Sequence, residues 1–158
     1  MIISFLSTSL IPAARQCLIA LIIVLVGTSF AAANDRLQVV TEAGTFDYRV
    51  ELALTNRERA VGLMHREWMA PDTGMLFRFD AVKPVAMWMR NTLIPLDMIF
   101  IRDDGTVANI HRNAEPLSER IIHSAEPVLF VLELNAGDAD RMGLKPGDEI
   151  LHPVIQGR

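Results

Sequence analysis

The sequence predicts a mainly β (α+β) domain, a compact β-barrel-like arrangement of about seven to nine short strands with two short helices. Three observations predict this class. Apolar residues alternate or cluster in short runs, turn residues separate these runs at close spacing, and only two short segments carry helical signals. Strands and helices do not alternate as they would in a βαβ fold.

The first 33 residues are typical of a secretory signal peptide and not of the domain. They contain no acidic residue and a single basic one, Arg15, which precedes the apolar run 18–26. That run is shorter than the roughly 20 residues that span a bilayer, and the small residues 31–33 suit cleavage after Ala33. We therefore expect export to the periplasm of a Gram-negative bacterium, with membrane contact only through an uncleaved leader.

Residues 34–158 are expected to form one domain. The chain has 15 basic and 19 acidic residues and a net charge of -4. Because Arg15 is the only charged residue of the leader, residues 34–158 have 14 basic and 19 acidic residues and a net charge of -5. We expect no nucleic-acid partner, since neutralising phosphates needs a concentrated basic surface. The single cysteine, Cys17, lies in the leader, so the mature chain has no thiol for catalysis, metal binding or disulfides.

Strand signals recur along the whole domain. The expected strands cover residues 37–41, 45–54, 75–79, 85–89, 96–101, 106–111, 128–134 and 149–153. Turn signals separate them at 42–44, at 71–74, at the hairpin 103–105, and at 145–148, where a type II turn is expected.

The first expected helix begins at a capping box. Thr55 and Glu58 are placed so that the threonine hydroxyl and the glutamate carboxylate satisfy free backbone amides at a helix start. We expect this helix over residues 56–65 and a second helical turn over residues 137–142, ended by Gly143. The residues expected on the buried side of the first helix are Ala60, Leu63 and Met64.

Several stretches taken together resemble one known family. They are residues 55–66 (TNRERAVGLMHR), 74–77 (GMLF), 87–92 (MWMRNT), 94–97 (IPLD), 132–134 (LEL), Gly143 and 147–148 (GD). The combination resembles the bacterial and archaeal family catalogued as domain of unknown function 192, over about residues 37–154. Arg90 stands where many members have lysine, which preserves the charge. The resemblance implies a compact, often exported β-rich domain, and it implies no reaction and no catalytic residue.

Asp97 is the most informative single residue. It interrupts the apolar run 93–101 where strand alternation would bury it, and an isolated buried carboxylate needs hydrogen-bond donors or a cationic partner. Two interpretations stay open: Asp97 holds the turn 91–95 through hydrogen bonds, or it forms a pocket for a small polar ligand with Arg66 and Asn91. The candidate ligand-binding residues are Arg66, Trp88, Asn91, Thr92, Asp97 and Glu133.

Glu133 raises the same question inside the apolar run 128–134. Together with Asp97 it would supply the acid and base of a hydrolase if the two carboxyl groups lay at a suitable separation. A second hydrolytic arrangement uses Asp97 with a histidine: Ser124, His123 and His111 supply the nucleophile and base beside Asp97, but no strand-to-helix nucleophile elbow surrounds Ser124. The sequence favours a binding domain over an enzyme, and no cofactor is expected.

Methionines are concentrated in one part of the chain. Six of the seven in the mature chain fall within 35 residues: Met64, Met69, Met75, Met87, Met89 and Met98. Met87 and Met89 share a face if their segment is a strand, and thioether sulfur suits Cu(I), so a Cu(I) protein is a second alternative. Adaptable core packing around Trp88 explains the same pattern. The four histidines lack a compact zinc spacing.

Arg57, Arg59 and Arg66 lie on or near the first expected helix, interleaved with Glu58 and Glu67. This pattern indicates a solvated helix face and not an anion site. Taken together, the sequence predicts an exported binding or accessory domain for a small polar ligand, a glycan or a partner protein, with a hydrolase and a Cu(I) protein as alternatives.

Overall fold

The computed structural model describes residues 35–157, and the expected leader, residues 1–33, lies outside them. Within the described range the chain forms nine strands and three short helices. In chain order they are β1 (Arg36–Thr41), β2 (Gly44–Ala53), α1 (Asn56–Val61), β3 (Thr73–Lys83), β4 (Ala86–Met87), β5 (Leu96–Ile101), β6 (Val107–Ala114), β7 (Ile122–His123), β8 (Val128–Asn135), α2 (Asp138–Arg141), β9 (Glu149–Leu151) and α3 (Pro153–Gln156). Within these residues, no helix is long and apolar enough to cross a bilayer.

Seven strands form one curled sheet in the order β6-β5-β8-β3-β2-β1-β9, and β4 pairs with β7 separately. Neighbouring strands are antiparallel except β2 and β3, which are parallel. The two edges of the large sheet meet at one end, where Ile150 N–H donates to the Gly105 carbonyl at 2.9 Å and Val107 N–H donates to the Asp148 carbonyl at 2.8 Å. The predicted mainly β, barrel-like fold is confirmed as a curled half-barrel.

Strand alternation separates the core into two faces. The inner face, represented by Leu76, Ile99 and Leu132, packs inside the curl against β1 and β9. The outer face, represented by Phe77 and Met98, is covered by the segments that follow α1 and flank β4. Every residue of β5 is buried because both faces of the sheet are covered there, which explains why its sequence is apolar except at Asp97.

The first helix begins as expected and ends early. Thr55 Oγ1 accepts from Glu58 N–H at 3.2 Å, and Glu58 Oε2 accepts from Thr55 N–H at 2.8 Å, which completes the capping box. Gly62 follows Val61 with φ +49° and ψ -133°, a conformation that glycine tolerates and that ends the helix. Leu63 is buried beyond the helix end, so the longer helix with its own buried side was wrong.

The C-terminal region contains one helix that the sequence did not predict. The turn at 145–148 is present, with Gly147 at φ +94° in the position that a type II turn requires. Beyond β9, Pro153–Gln156 forms α3, where a strand end was expected. His152 Nδ1 accepts from Val154 N–H at 3.1 Å and caps this helix, and proline is favourable at its first position.

Candidate ligand-binding site

Glu133 lies on the outer face of β8, an interior strand of the sheet, between two methionines. It is in register with Met75 on β3 and with Met98 on β5, so the three side chains form one row on the same face. The methionines that are grouped in the sequence are therefore also grouped in space. Met69, Met75, Met89 and Met98 belong to the buried cluster of the outer face, Met87 packs against it, and Met64 lines the neighbouring cavity.

A cavity of about 340 Å³ is lined by Glu133 on this face. This volume lies within the range of small-molecule sites, about 300–1,000 Å³. Its apolar walls are Leu63, Met64, Phe77, Phe79, Met87 and Trp88, and its polar lining comes from Asn56, Arg59, Lys83, Thr92 and Glu133. The cavity thus combines aromatic and thioether walls with several polar groups.

The carboxyl group of Glu133 has no partner among residues 35–157, neither a hydrogen-bond donor nor a cation. Its side chain is nevertheless buried, with 4 % of the residue surface exposed. Burial raises the pKa of Glu133 from 4.5 to about 8, since water no longer stabilises the charged form. The group is therefore mainly protonated at neutral pH and offers one O–H donor to the cavity.

Asp97, the other buried acid, faces the opposite side of the sheet. In the pairing of β5 with β8, Met98 stands opposite Glu133, and Asp97 stands opposite Leu134. Because successive side chains of a strand point to opposite faces, Asp97 lies on the inner face. The two carboxyl groups are separated by the sheet, so the hydrolase that used them as a pair was wrong.

Backbone amides satisfy the carboxylate of Asp97 completely. Its Oδ1 accepts from Asn113 N–H at 2.8 Å, and its Oδ2 accepts from Gly137 N–H at 3.0 Å and Ala139 N–H at 2.9 Å. The last two contacts cap the start of α2 from a distant strand, since α2 has no side-chain cap of its own. Asp97 thus holds β6 and α2, and not the turn 91–95 that the sequence indicated.

The expected pocket of Arg66, Asn91 and Asp97 does not form. Arg66 makes two hydrogen bonds with Glu51, at 2.6 Å and 2.5 Å. Asn91 Nδ2 donates to Met64 Sδ at 3.9 Å, which places Asn91 at the cavity wall. Of the six candidates, Trp88, Thr92 and Glu133 line the cavity, Asn91 contacts its wall, and Arg66 and Asp97 lie elsewhere.

Arg59 was expected on a solvated face, and this was wrong. Its side chain is 10 % exposed and lines the cavity. One Nη donates to the carbonyls of Leu54 and Arg78, each at 2.6 Å, and the other to Asp80 at 3.0 Å. The guanidinium carbon lies 5.6 Å from the ring centroid of Phe79. The carbonyls that hold it come from separate parts of the chain, so helix periodicity could not reveal them.

Lys83 was also missed by the sequence reasoning. It ends β3, which runs past the expected strand 75–79, with a shift of its register against β8 between Arg78 and Lys83. Its Nζ lies 5.5 Å from the ring centroid of Phe79, and among the described residues no carboxylate pairs with it. The sequence feature that could have indicated Lys83 is a basic residue shortly after the aromatic residues Phe77 and Phe79, and this pattern is too common to be specific.

The remaining sequence candidates are not assembled into a site. Strand β4 ends at Met87, so Met87 and Met89 do not follow strand alternation: Met87 faces the Glu133 cavity, and Met89 lines another depression with His111. Ser124 Oγ accepts from Val85 N–H at 2.9 Å, a structural contact. In the part of the chain that the structure describes, no group of three or more His, Cys, Asp or Glu residues is placed to hold a metal.

Known proteins resemble this chain over most of the domain. The model of a family described as domain of unknown function 192, Uncharacterized ACR, matches residues 38–152. A crystal structure from Sinorhizobium meliloti 1021, of a protein proposed to be a transcription regulator, is 54 % identical with a TM-score of 0.72, and the match covers 74 % of this chain and 92 % of that one. A protein of unknown function from Novosphingobium aromaticivorans DSM 12444 is 43 % identical with a TM-score of 0.72, covering 73 % and 83 %. No curated protein matches the chain.

Proposed function

Because the chain belongs to the domain of unknown function 192 family, for which no reaction is established, we propose a function from the site itself. The protein is an exported binding or accessory domain that holds a small ligand in the cavity at Glu133. The observation that carries this proposal is the buried carboxyl of Glu133, which has no partner among the described residues. Burying a polar group without a hydrogen bond costs free energy, and a ligand that supplies the missing partner offsets that cost.

The lining of the cavity restricts what this ligand is. Aromatic and thioether walls favour an apolar body, and methionine side chains adapt to different shapes. The acid on the floor favours one hydrogen-bonding group at the inner end. Small ligands that combine an apolar body with a polar group fit better than a fully polar glycan.

Export rests on the leader and on composition. Residues 1–33 have the layout of a secretory signal, and residues 34–158 contain no cysteine, which suits an oxidising compartment such as the periplasm. A nucleic-acid partner, which the description of the S. meliloti protein would suggest, is not part of the proposal. The 19 acidic and 14 basic residues of the domain disfavour phosphate binding.

The test is native mass spectrometry of the full chain, expressed in a Gram-negative host and recovered from the periplasm. We expect a cleaved chain that begins near residue 34 and carries a retained small molecule. Glu133→Leu removes the inner polar contact and should lose the retained mass, while Glu149→Gln at an exposed strand position keeps it. Recovery of the uncleaved protein in the cytoplasm contradicts export. Identical retained masses in wild type and Glu133→Leu contradict the site.

A further inference from the structure

The two ends of the Glu133 cavity differ in charge. The floor carries an acid without a cation, whereas two cationic side chains line the same cavity beside Phe79. The guanidinium carbon of Arg59 lies 5.6 Å and Nζ of Lys83 lies 5.5 Å from the centroid of that ring. Both cations are therefore fixed at one wall of the cavity, away from the acid.

The strand register separates the acid from the cations. Lys83 is in register with Val128 at the start of β8, whereas Glu133 is in register with Met75 near the other end of the same pair of strands. Arg59 donates to the carbonyl of Arg78, which lies between these two positions on β3. The positive mouth and the acid therefore lie at different places along the cavity.

Only one of the two charges at the mouth is compensated. Arg59 pairs with Asp80 at 3.0 Å, and its other Nη contacts go to the carbonyls of Leu54 and Arg78 and to Asn56 Oδ1. Lys83 is exposed, and no carboxylate of residues 35–157 pairs with it. In a domain whose net charge is negative, this is a local site that favours an anion.

We propose that the cavity binds small amphipathic carboxylates, with the ligand carboxylate at Lys83, the apolar body against Met64, Met87 and the aromatic walls, and a hydroxyl or carbonyl oxygen at the inner end. That oxygen accepts the O–H of Glu133, and no covalent bond changes. A cavity of about 340 Å³ corresponds to roughly 11 non-hydrogen atoms if each takes the ~30 Å³ of a water molecule. This inference rests on the proposed function and adds the ligand class to it.

Three probes of one length test the class: 8-hydroxyoctanoate, 1,8-octanediol and 8-amino-1-octanol. They share the chain and one hydroxyl and differ in the outer group, which is an anion, a neutral hydroxyl or a cation. Affinities are measured by calorimetry at pH 7 and low salt, with the protein purified from the periplasm. We expect 8-hydroxyoctanoate to bind about fivefold more tightly than the diol, as one solvated ion pair allows, and the amino alcohol to bind most weakly.

Two pairs of variants locate the effect. Lys83→Met should abolish the preference for the anion and leave the affinity for the diol unchanged, while Lys145→Met, which removes a lysine paired with Glu42 elsewhere, should change neither. Ala86→Phe places a ring at an exposed position of the cavity lining and should block all three probes. Ala81→Phe adds the same ring outside the cavity and should not.

Each outcome separates this inference from the proposed function. Equal affinities, or tightest binding of the amino alcohol, overturn the anion class, and the proposed function still stands if Ala86→Phe blocks binding. Absence of binding for all three probes at 5 mM also overturns the class. In that case the proposed function is decided by native mass spectrometry, that is, by whether wild type retains a small molecule that Glu133→Leu loses.

Discussion

Asp97 and Glu133 are buried acids on adjacent strands of one sheet, and their surroundings are opposite. Asp97 is 0 % exposed and accepts three backbone N–H groups. Glu133 is 4 % exposed and has no partner among residues 35–157. Both interrupt apolar runs, so burial alone does not distinguish them. Three backbone N–H groups hold the carboxylate of Asp97, whereas Glu133 lines a cavity that a ligand can enter.

The largest expected effect is the loss of Asp97. Asp97→Ala leaves the backbone amides of Asn113, Gly137 and Ala139 without their acceptor, and each unsatisfied buried donor costs about 1–3 kcal/mol. We expect a loss of about 4 kcal/mol in the free energy of unfolding, measured by urea denaturation. Asp97→Asn keeps one acceptor oxygen and should lie between wild type and Asp97→Ala. A loss below about 1 kcal/mol for Asp97→Ala would contradict its structural role.

Glu133 should affect stability through pH. Its pKa is raised from 4.5 in the unfolded chain to about 8 in the folded one. Between these two pH values the folded state binds more protons than the unfolded state. The protonated Glu133 therefore contributes fully to stability below pH 4.5, and this contribution is lost as the pH rises to about 8. Relative to Glu133→Gln, wild type should lose on the order of 3 kcal/mol between pH 5 and 8 in urea unfolding. If the free energy of unfolding changes equally with pH in wild type and in Glu133→Gln, Glu133 does not have a raised pKa, and the proposed contrast with Asp97 is wrong.

A smaller effect is expected at the wall of the cavity. Thr55→Ala removes the hydroxyl that caps α1, which should destabilise the protein by about 1 kcal/mol. Because α1 carries Arg59 and Asn56 into the cavity lining, amide hydrogen exchange should accelerate there and remain unchanged at Ala139 beside Asp97. Thr45→Ala, at an exposed strand position, is the matched control. Uniform acceleration across both regions would argue against local capping.

The smallest effect concerns Arg66. A double-mutant cycle of Arg66→Ala and Asp97→Ala should give additive losses within about 0.5 kcal/mol, since the two residues share no partner. The cycle of Arg66→Ala with Glu51→Ala should give a coupling of about 0.2–1 kcal/mol, as exposed ion pairs do. A coupling to Asp97 that exceeds the coupling to Glu51 would restore the pocket that the sequence suggested.

The sequence was sufficient for features with local causes. The capping box, the turn at Gly147 and the two acids that interrupt apolar strands depend on neighbouring residues only. The face on which each acid lies depends on the register between β5 and β8, two strands that are distant in sequence. The position of Arg59 likewise depends on carbonyls of Leu54 and Arg78 that only the folded sheet brings together. Because these contacts are between distant parts of the chain, only three of the six candidate residues predicted from the sequence line the cavity. Arg59 and Lys83, which form its cationic mouth, were not among the candidates.

The most direct test of the contrast between the two acids is the pKa of Glu133, followed by the side-chain carboxyl ¹³C resonance in NMR spectra of the uniformly labelled protein. Glu133→Gln assigns the resonance by its disappearance. We expect a midpoint of about 8 in the protein freed of ligand. A midpoint near 4.5, the ordinary value for glutamate, would show that the carboxyl is solvated or paired and would contradict the proposed contrast with Asp97.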